Sequence, residues 1–200
     1  SYVENLFDSY ARNFDTSLVD KLEYRTPKRI SEVLLENKTG IDQISVLDLG
    51  CGTGLAGVEL KPYCRYLAGV DLSKSMLQQA KLKNIYNSLA YEDIETFLRT
   101  EDLDFDYFIA ADVFVYIGEL RNVFHYIKSR NKSRGKIIFS TEHSDEGTFK
   151  LQKSGRYAHS KAYVEGLCKT YNLKLIHFEL QNLRKDRNRF IIGGLYVLEF

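Results

Sequence analysis

Three glycines, Gly50, Gly52 and Gly54, alternate at the exit of an apolar run that carries an acid, Val46-Leu47-Asp48-Leu49, and a second acid, Asp71, closes the next apolar run. Glycine removes the side chain and admits positive φ, so such a loop lets a ligand touch backbone. A carboxylate about twenty residues further on can accept hydrogen bonds from both hydroxyls of a ribose, charge-assisted bonds worth roughly 1.5–3 kcal/mol each. Free N–H groups at the start of the following helix suit a polar or anionic group. Gly52-x-Gly54-x-x-Gly57 also satisfies the dinucleotide pattern, so the residues alone admit an NAD(P)-dependent oxidoreductase as well as a group-transfer enzyme built around a nucleoside. A plain tight turn is the bland alternative. Asp71 can also be read as a cap for a helix over 73–82. Met76 either lines an adenine face with its thioether or fills core, and Glu92-Asp93-Ile94 either meets an adenine amino group or caps the helix before Phe97.

Further along stand the candidates for chemistry on a second reactant. His143 follows the fifth predicted strand, as a general base or as a surface-loop histidine. Arg156, Tyr157 and His159 fall together in a predicted loop before the last helix. A cation, a phenol and an imidazole suit an anionic substrate such as a carboxylate; the alternative is a loop anchored by packing of Tyr157. His125 and His177 read as structural. No His, Cys, Asp or Glu spacing suggests a metal.

These residues need elements to hold them. Val3, Leu6, Phe7, Tyr10 and Phe14 have helical spacing over 2–14, and Leu18 and Leu22 continue into a second short helix. Thr26-Pro27 fits a helix start, with Ile30, Val33 and Leu34 on one face. Strands are predicted over 44–49, 66–70, 88–91, 105–110 and 136–141, alternating with helices that follow Gly54, Ser73, Asp93 and Leu120. Ser160 caps a helix bearing Tyr163, Leu167 and Tyr171. Two β-rich runs, 173–180 and 190–200, end the chain, joined by a charged turn from Arg184 to Arg189. Alternation of this kind predicts an α/β, doubly wound, mostly parallel sheet, and the last two strands, lacking a helix between them, form an antiparallel C-terminal hairpin. Ligands of such sheets bind beyond the carboxyl ends of the strands, where strand order reverses.

The chain has 200 residues, 44% hydrophobic, enough for one good core, and a net charge of +1 that offers no global field for nucleic acid or membrane. Cys51, Cys64 and Cys168, an odd number without metal spacing, read as reduced thiols of a cytoplasmic protein. No apolar run reaches the roughly 18 residues of a membrane span, and no signal peptide is visible. The first residue is not Met and the helical pattern begins at once, so a longer parent protein is an open reading.

The runs VLDLGCGTG (46–54), AGVDLS (68–73) with Met76, Glu92-Asp93-Ile94, and FDYFIAAD (105–112) resemble, in order, the motifs of class I S-adenosylmethionine-dependent methyltransferases. The flanks FDSYARNFDTSLVDKLEYRTP, GRYAHSKAY and GGLYVLEF resemble the methyltransferase domain found attached to tetratricopeptide repeats, although no such repeat is present in these residues. The resemblance implies a Rossmann-like, seven-stranded fold in a single domain over 1–200. Residues 1–40 would form a helical cap on the site and 41–200 the α/β core. The implied cofactor is S-adenosyl-L-methionine, leaving as S-adenosyl-L-homocysteine. Gly50, Gly52 and Gly54 would approach its methionine moiety, with Asp48 beneath the loop. Asp71 would hold the ribose, with Leu72 and Met76 in the same set, while Asp93 and Ile94 frame the adenine. Ala111 and Asp112 would face the reacting centre, and Tyr10, Tyr24 and Arg25 close over the cofactor. The Asn-Pro motif of many amino-group methyltransferases is absent, Ala110-Ala111-Asp112-Val113-Phe114 standing there instead, which lowers N-methylation of DNA adenine or glutamine. The expectation is therefore methyl transfer to a small-molecule acceptor, with no nucleic-acid or membrane partner and with His143, Arg156 and His159 as catalytic candidates. A non-catalytic interaction module keeping the same fold is the remaining alternative.

Overall fold

The computed structural model describes residues 4–5, 24–38, 40, 42–186 and 189–200. Tyr10, and nearly all of the two helices expected before residue 23, lie outside the described residues. From Tyr24 onward the chain forms α1 (Thr26–Asn37), β1 (Ile44–Leu49), α2 (Leu55–Leu60), β2 (Cys64–Asp71), α3 (Lys74–Leu82), β3 (Ser88–Tyr91), α4 (Ile94–Thr100), β4 (Tyr107–Ala110), α5 (Arg121–Arg130), β5 (Lys136–Ser144), β6 (Phe149–Leu151), β7 (Tyr157–Ser160), α6 (Lys161–Tyr171), β8 (Lys174–Asp186) and β9 (Arg189–Glu199). Local chemistry explains the helix starts. Pro27 sits in the first turn of α1, where a missing N–H is harmless. Ser73 Oγ accepts the Met76 N–H at 3.2 Å, and Ser160 Oγ accepts the Tyr163 N–H at 3.0 Å.

The strands order as β3-β2-β1-β4-β5, all parallel, with β9 antiparallel to β5 and β8 antiparallel to β9. That is the expected seven-stranded plan, and its order reverses between β1 and β4. Two strands are added to it. Glu142 of β5 pairs with Ala158 of β7 and with Gly193 of β9, so those strands flank β5 on opposite sides. Because β9 occupies one edge of β5 from Lys136 to Glu142, β7 continues on the edge that β4 occupies lower down, and β6 pairs antiparallel with β7. The run Tyr157–Ser160, expected as loop, is a strand for this reason: β5 reaches Ser144, well past the four-residue β4, and its free edge takes a partner. His143 likewise lies inside β5 rather than after it.

Helices cover both faces, as the alternation predicts. On one face Leu47, Leu49, Phe108, Phe139 and Tyr196 pack against Leu98 of α4, Phe124 of α5 and Val164 of α6. On the other, Val46, Ile109, Ile138 and Val197 pack against Ile30 and Leu34 of α1 and Leu60 of α2. The terminal hairpin runs further than expected: Arg184 belongs to β8, opposite Ile191, not to a turn. A bulge between Asn182 and Arg184 re-aims the strand. Leu183 fills the space that a side chain at Gly193 would need, its carbons 2.4 Å from an ideal Cβ there. Among the described residues no helix is long and apolar enough to cross a membrane, and the three cysteines are buried, unbridged thiols.

Candidate active site

The reversal of strand order leaves a cleft above β1, β2, β4 and β5, and the motif residues meet there in two groups. The first is the glycine loop. Gly50, Gly52 and Gly54 have φ of 65°, 53° and 90°, the left-handed region that disfavours other residues. An ideal Cβ on Gly50 would stand 2.6 Å from a methyl of Val113, which follows β4, so the loop is pressed against its neighbour; above Gly52 there is nothing within 4 Å. Asp71 ties the loop down from the end of β2. Its Oδ2 accepts the Gly52 N–H at 2.8 Å and its Oδ1 the Ser73 N–H at 2.8 Å. Asp48 lies beneath, 1% exposed, and accepts a 2.6 Å hydrogen bond from Tyr86 Oη. Burial raises the Asp48 carboxyl to about 7, the Tyr86 bond opposing the rise and the Asp71 charge adding to it. Tyr86 was missed by sequence reasoning. Its phenol packs on Gly54, Gly57 and Gly69, where side chains would collide with it, and nothing local marks a tyrosine between α3 and β3 for that role.

Beside this loop opens a cavity of about 320 Å³ lined by Glu4, Leu72, Tyr91, Glu92 and Asp93. Leu72 and Asp93, both expected at a nucleoside, share it. Asp93 also caps α4, its Oδ1 accepting the Thr96 N–H at 3.1 Å. Met76 and Ile94 are 1% and 6% exposed; Ile94 belongs to the core under α4, and of the two readings of Met76 the structure favours the core.

The second group stands over β4 and β5 and is charged. Asp112 takes φ of 55°, a conformation tolerated by Asp but strained enough to mark a built position. Its N–H donates to Ser140 Oγ and the hydroxyl donates back to Oδ1, both at 2.8 Å. Arg184 reaches in from β8, 6% exposed: one nitrogen lies 3.3 Å from Asp112 Oδ2, the other 2.6 Å from Glu142 Oε1. Gln152 donates to the second Glu142 oxygen. Burial pushes the Asp112 carboxyl above its ordinary range against the pull of Arg184 and Ser140. Burial disfavours the Arg184 charge as well, but Asp112 and Glu142 outweigh it and hold the guanidinium above its usual value. Glu142 and Arg184 were missed as site residues; they are 42 positions apart, and only the hairpin pairing brings them together.

The remaining candidates divide. Arg156 joins this group, its Nε donating to Tyr116 Oη at 3.3 Å and another nitrogen 3.9 Å from Glu142, with the guanidinium 5.9 Å from the Tyr116 ring centre. Tyr24 belongs here too: burial, then the charges of Asp112 and Asp48, raise its phenol, while Arg184 opposes them. Arg25 is exposed and precedes α1. Ala111 packs against the cluster under α1. His159 is wholly buried. Its Nε2 faces the Ile117 and Gly118 carbonyls at 3.1 and 2.9 Å, so it carries the proton there, and Nδ1 accepts from Thr141 Oγ1 at 2.6 Å. Burial lowers its pKa. Both ring nitrogens are therefore occupied by protein. His143, the strand neighbour of Glu142, points to the opposite face of β5, as alternation requires; it lies by the Phe178 ring and 3.1 Å from Asp145. His143 and His159 are paired neighbours on β5 and β7 and share a face of the sheet, opposite to the one on which Arg156 approaches Glu142. Among the described residues no cluster of His, Cys, Asp and Glu could hold a metal ion.

Comparison with known proteins bears on what this cleft does. A segment of 88 residues is 34% identical to methyltransferase-like protein 27 of Homo sapiens, covering 43% of this chain and 36% of that protein. A segment of 106 residues is 33% identical to malonyl-[acyl-carrier protein] O-methyltransferase of Bacillus anthracis, covering 49% of this chain and 37% of the relative. The chain spans between 36% and 55% of the length of the first curated relatives it matches. The crystal structure of an S-adenosylmethionine-dependent methyltransferase from Clostridium acetobutylicum superposes with a TM-score of 0.70 at 20% identity, over 98% of this chain and 99% of that one, a likeness of fold. The family model for a methyltransferase domain matches residues 42–190, which contain the glycine loop, Asp71, Asp112, Glu142 and Arg184 together. On that match, over about three quarters of its length, the chain belongs to the methyltransferase domain family.

Proposed function

We propose that this protein transfers a methyl group from S-adenosylmethionine to a small, anionic acceptor. The observation that carries the reading is the juxtaposition at one sheet edge of a glycine loop tied down by Asp71 and a charged group around Asp112 and Arg156. The residues fit the cofactor. No atom lies within 4 Å of where a side-chain carbon on Gly52 would stand, a carboxylate stands beside that space, and the cavity at Leu72 and Asp93 has room for a purine. Gly50, Gly52 and Gly54 would approach the methionine part, Asp71 the ribose, Leu72 and Asp93 the adenine, and Tyr24, Ala111 and Asp112 would border the reacting centre. When bound, the cofactor supplies a methyl group already activated on sulfonium sulfur, so the protein's work is alignment and exclusion of water. Asp48 and Tyr86 support the loop from below. Arg156 recognises the acceptor's negative charge, and His159 braces the 117–118 backbone rather than meeting the acceptor.

The same reading places residues 1–200 in one methyltransferase domain with 1–40 as its cap, resembling the domains joined to tetratricopeptide repeats. It makes the protein cytoplasmic, with no nucleic-acid or membrane partner; the balanced net charge of +1 supports this. Isothermal titration with S-adenosylhomocysteine and with NADH tests it. Micromolar or tighter binding of the first and none of the second is expected. The reverse would favour the oxidoreductase reading, and retained binding without methyl transfer to any acceptor would favour an interaction module.

A further inference from the structure

We infer that the acceptor atom is a carboxylate oxygen, methylated without a general base and held by Arg156. This rests on the methyl-transfer reading above and names the substrate class of the same site. The argument starts from which groups around Asp112 have bonding capacity left. Arg184 is shared between Asp112 and Glu142, and Gln152 and Ser140 occupy further carboxylate oxygens. A proton placed on either acid would strip the buried Arg184 of a partner, and a buried guanidinium without its counter-ion is costly. His159 has both nitrogens bonded to protein atoms, it and its strand neighbour His143 lie on the opposite face of β5 from Glu142, and the Tyr24 phenol is raised further from ionisation by burial. Among the described residues no group over β4 and β5 is therefore placed to take a proton from an acceptor.

Arg156 is the opposite case. Its side chain is 30% exposed, and the guanidinium makes one 3.3 Å bond to Tyr116 and one 3.9 Å approach to Glu142, so most of its five donors remain for a ligand. Arg156, Arg184, Asp112 and Glu142 sum to zero charge, and a cationic donor entering beside them leaves room for one negative charge. An acceptor that needs no base at neutral pH and brings one negative charge is a carboxylate, with an ordinary pKa near 4; a phenol, near 10, fails the first condition. The fork of Arg156 matches carboxylate geometry and orients one oxygen while the other reacts. In the step, a lone pair of that oxygen forms the O–CH₃ bond as the C–S bond breaks, and the bonding pair goes to sulfur. The anion becomes a neutral methyl ester and the sulfonium a neutral thioether; no proton moves.

The test uses the full chain with methyl-tritiated S-adenosylmethionine and a metabolite extract below 1 kDa, split by anion exchange into acid-bearing and unretained fractions. The expected result is tritium in the acid-bearing fraction that becomes volatile methanol in alkali, as methyl esters release it. Label stable to alkali, label in the unretained fraction, or no label at all overturns the inference. Binding of S-adenosylhomocysteine, measured alongside, tells that failure from failure of the methyltransferase reading, which alone predicts such binding. A second readout needs no turnover. Benzoate and acetate at millimolar concentration should raise the Tm of the S-adenosylhomocysteine complex, Arg156→Ala should abolish the rise, and Arg156→Lys should keep part of it. Benzylamine should do nothing. A rise that survives Arg156→Ala, or one produced by the amine and not by the acids, overturns the role given to Arg156.

Discussion

The glycine loop allows a prediction in which two neighbouring, outwardly similar positions should behave differently. Gly50→Ala and Gly52→Ala both place a side chain at positive φ, 65° and 53°, which costs roughly 1–2 kcal/mol. At Gly52 that is the whole effect, because the added carbon meets nothing within 4 Å. At Gly50 the new methyl would sit 2.6 and 2.7 Å from the two methyl carbons of Val113. Relief means moving a side chain or backbone in a packed loop, about 1–3 kcal/mol more. Gly50→Ala should therefore destabilise by about 2–5 kcal/mol and Gly52→Ala by about 1–2 kcal/mol. Val113→Ala removes both clashing methyls, so the double variant Gly50→Ala/Val113→Ala should recover the clash and keep the strain, a coupling of about 1–3 kcal/mol in a double-mutant cycle. Urea unfolding of the four proteins measures this, provided the m-values agree. Equal destabilisation by the two alanines, or additive behaviour of Gly50→Ala and Val113→Ala, would refute the claim that the β1 loop is held against the β4 loop by close approach. Gly52→Ala has a second expected effect: weaker S-adenosylhomocysteine binding out of proportion to its small cost in stability, because its methyl enters the open cradle.

Three further outcomes follow from the charged groups of the site. The Asp48 carboxyl sits near 7 in the fold instead of its ordinary 3.8. The native state therefore holds a proton that the unfolded chain has already lost, and stability should fall as pH rises from about 4 to about 7. At about 1.36 kcal/mol per pH unit the fall from this group is of order 4 kcal/mol; Asp48→Asn should flatten that part of the curve in urea melts at stepped pH, and an unchanged slope would contradict it. Arg184→Met should cost about 3–5 kcal/mol by leaving Asp112 and Glu142 buried without a cation. The triple variant Arg184→Met/Asp112→Asn/Glu142→Gln should recover most of that in thermal melts, and a triple variant no more stable than the single would show the cluster is not held by its charges. Asp71→Ala should weaken S-adenosylhomocysteine binding by about 2–4 kcal/mol, the loss of charge-assisted bonds to a ribose, read by calorimetry; an unchanged Kd removes Asp71 from the site.

Much of the architecture and half of the candidate site are legible in the sequence because they are local. The glycine spacing, the acids at the ends of β1 and β2, the serine caps of α3 and α6 and the β–α alternation each depend on residues a few positions apart, so their physics is visible in a linear text. Tertiary pairing decided the rest. Arg184 read as the start of a charged turn, until the register of β8 on β9 and of β9 on β5 carried it 72 residues back to Asp112 and 42 back to Glu142. Tyr157–Ser160 became a strand only because β5 outruns β4 and leaves an edge to fill, and Tyr86 found Asp48 across 38 residues. Burial, too, is a property of the assembled layers: the same imidazole that reads as a catalytic candidate at His159 is spent, once folded, on two carbonyls and a hydroxyl. The chain's own text dictated where the glycine loop turns, through backbone conformations only glycine adopts readily; which charges gather over β4 and β5 was decided by long-range strand pairing, which no short window of residues encodes.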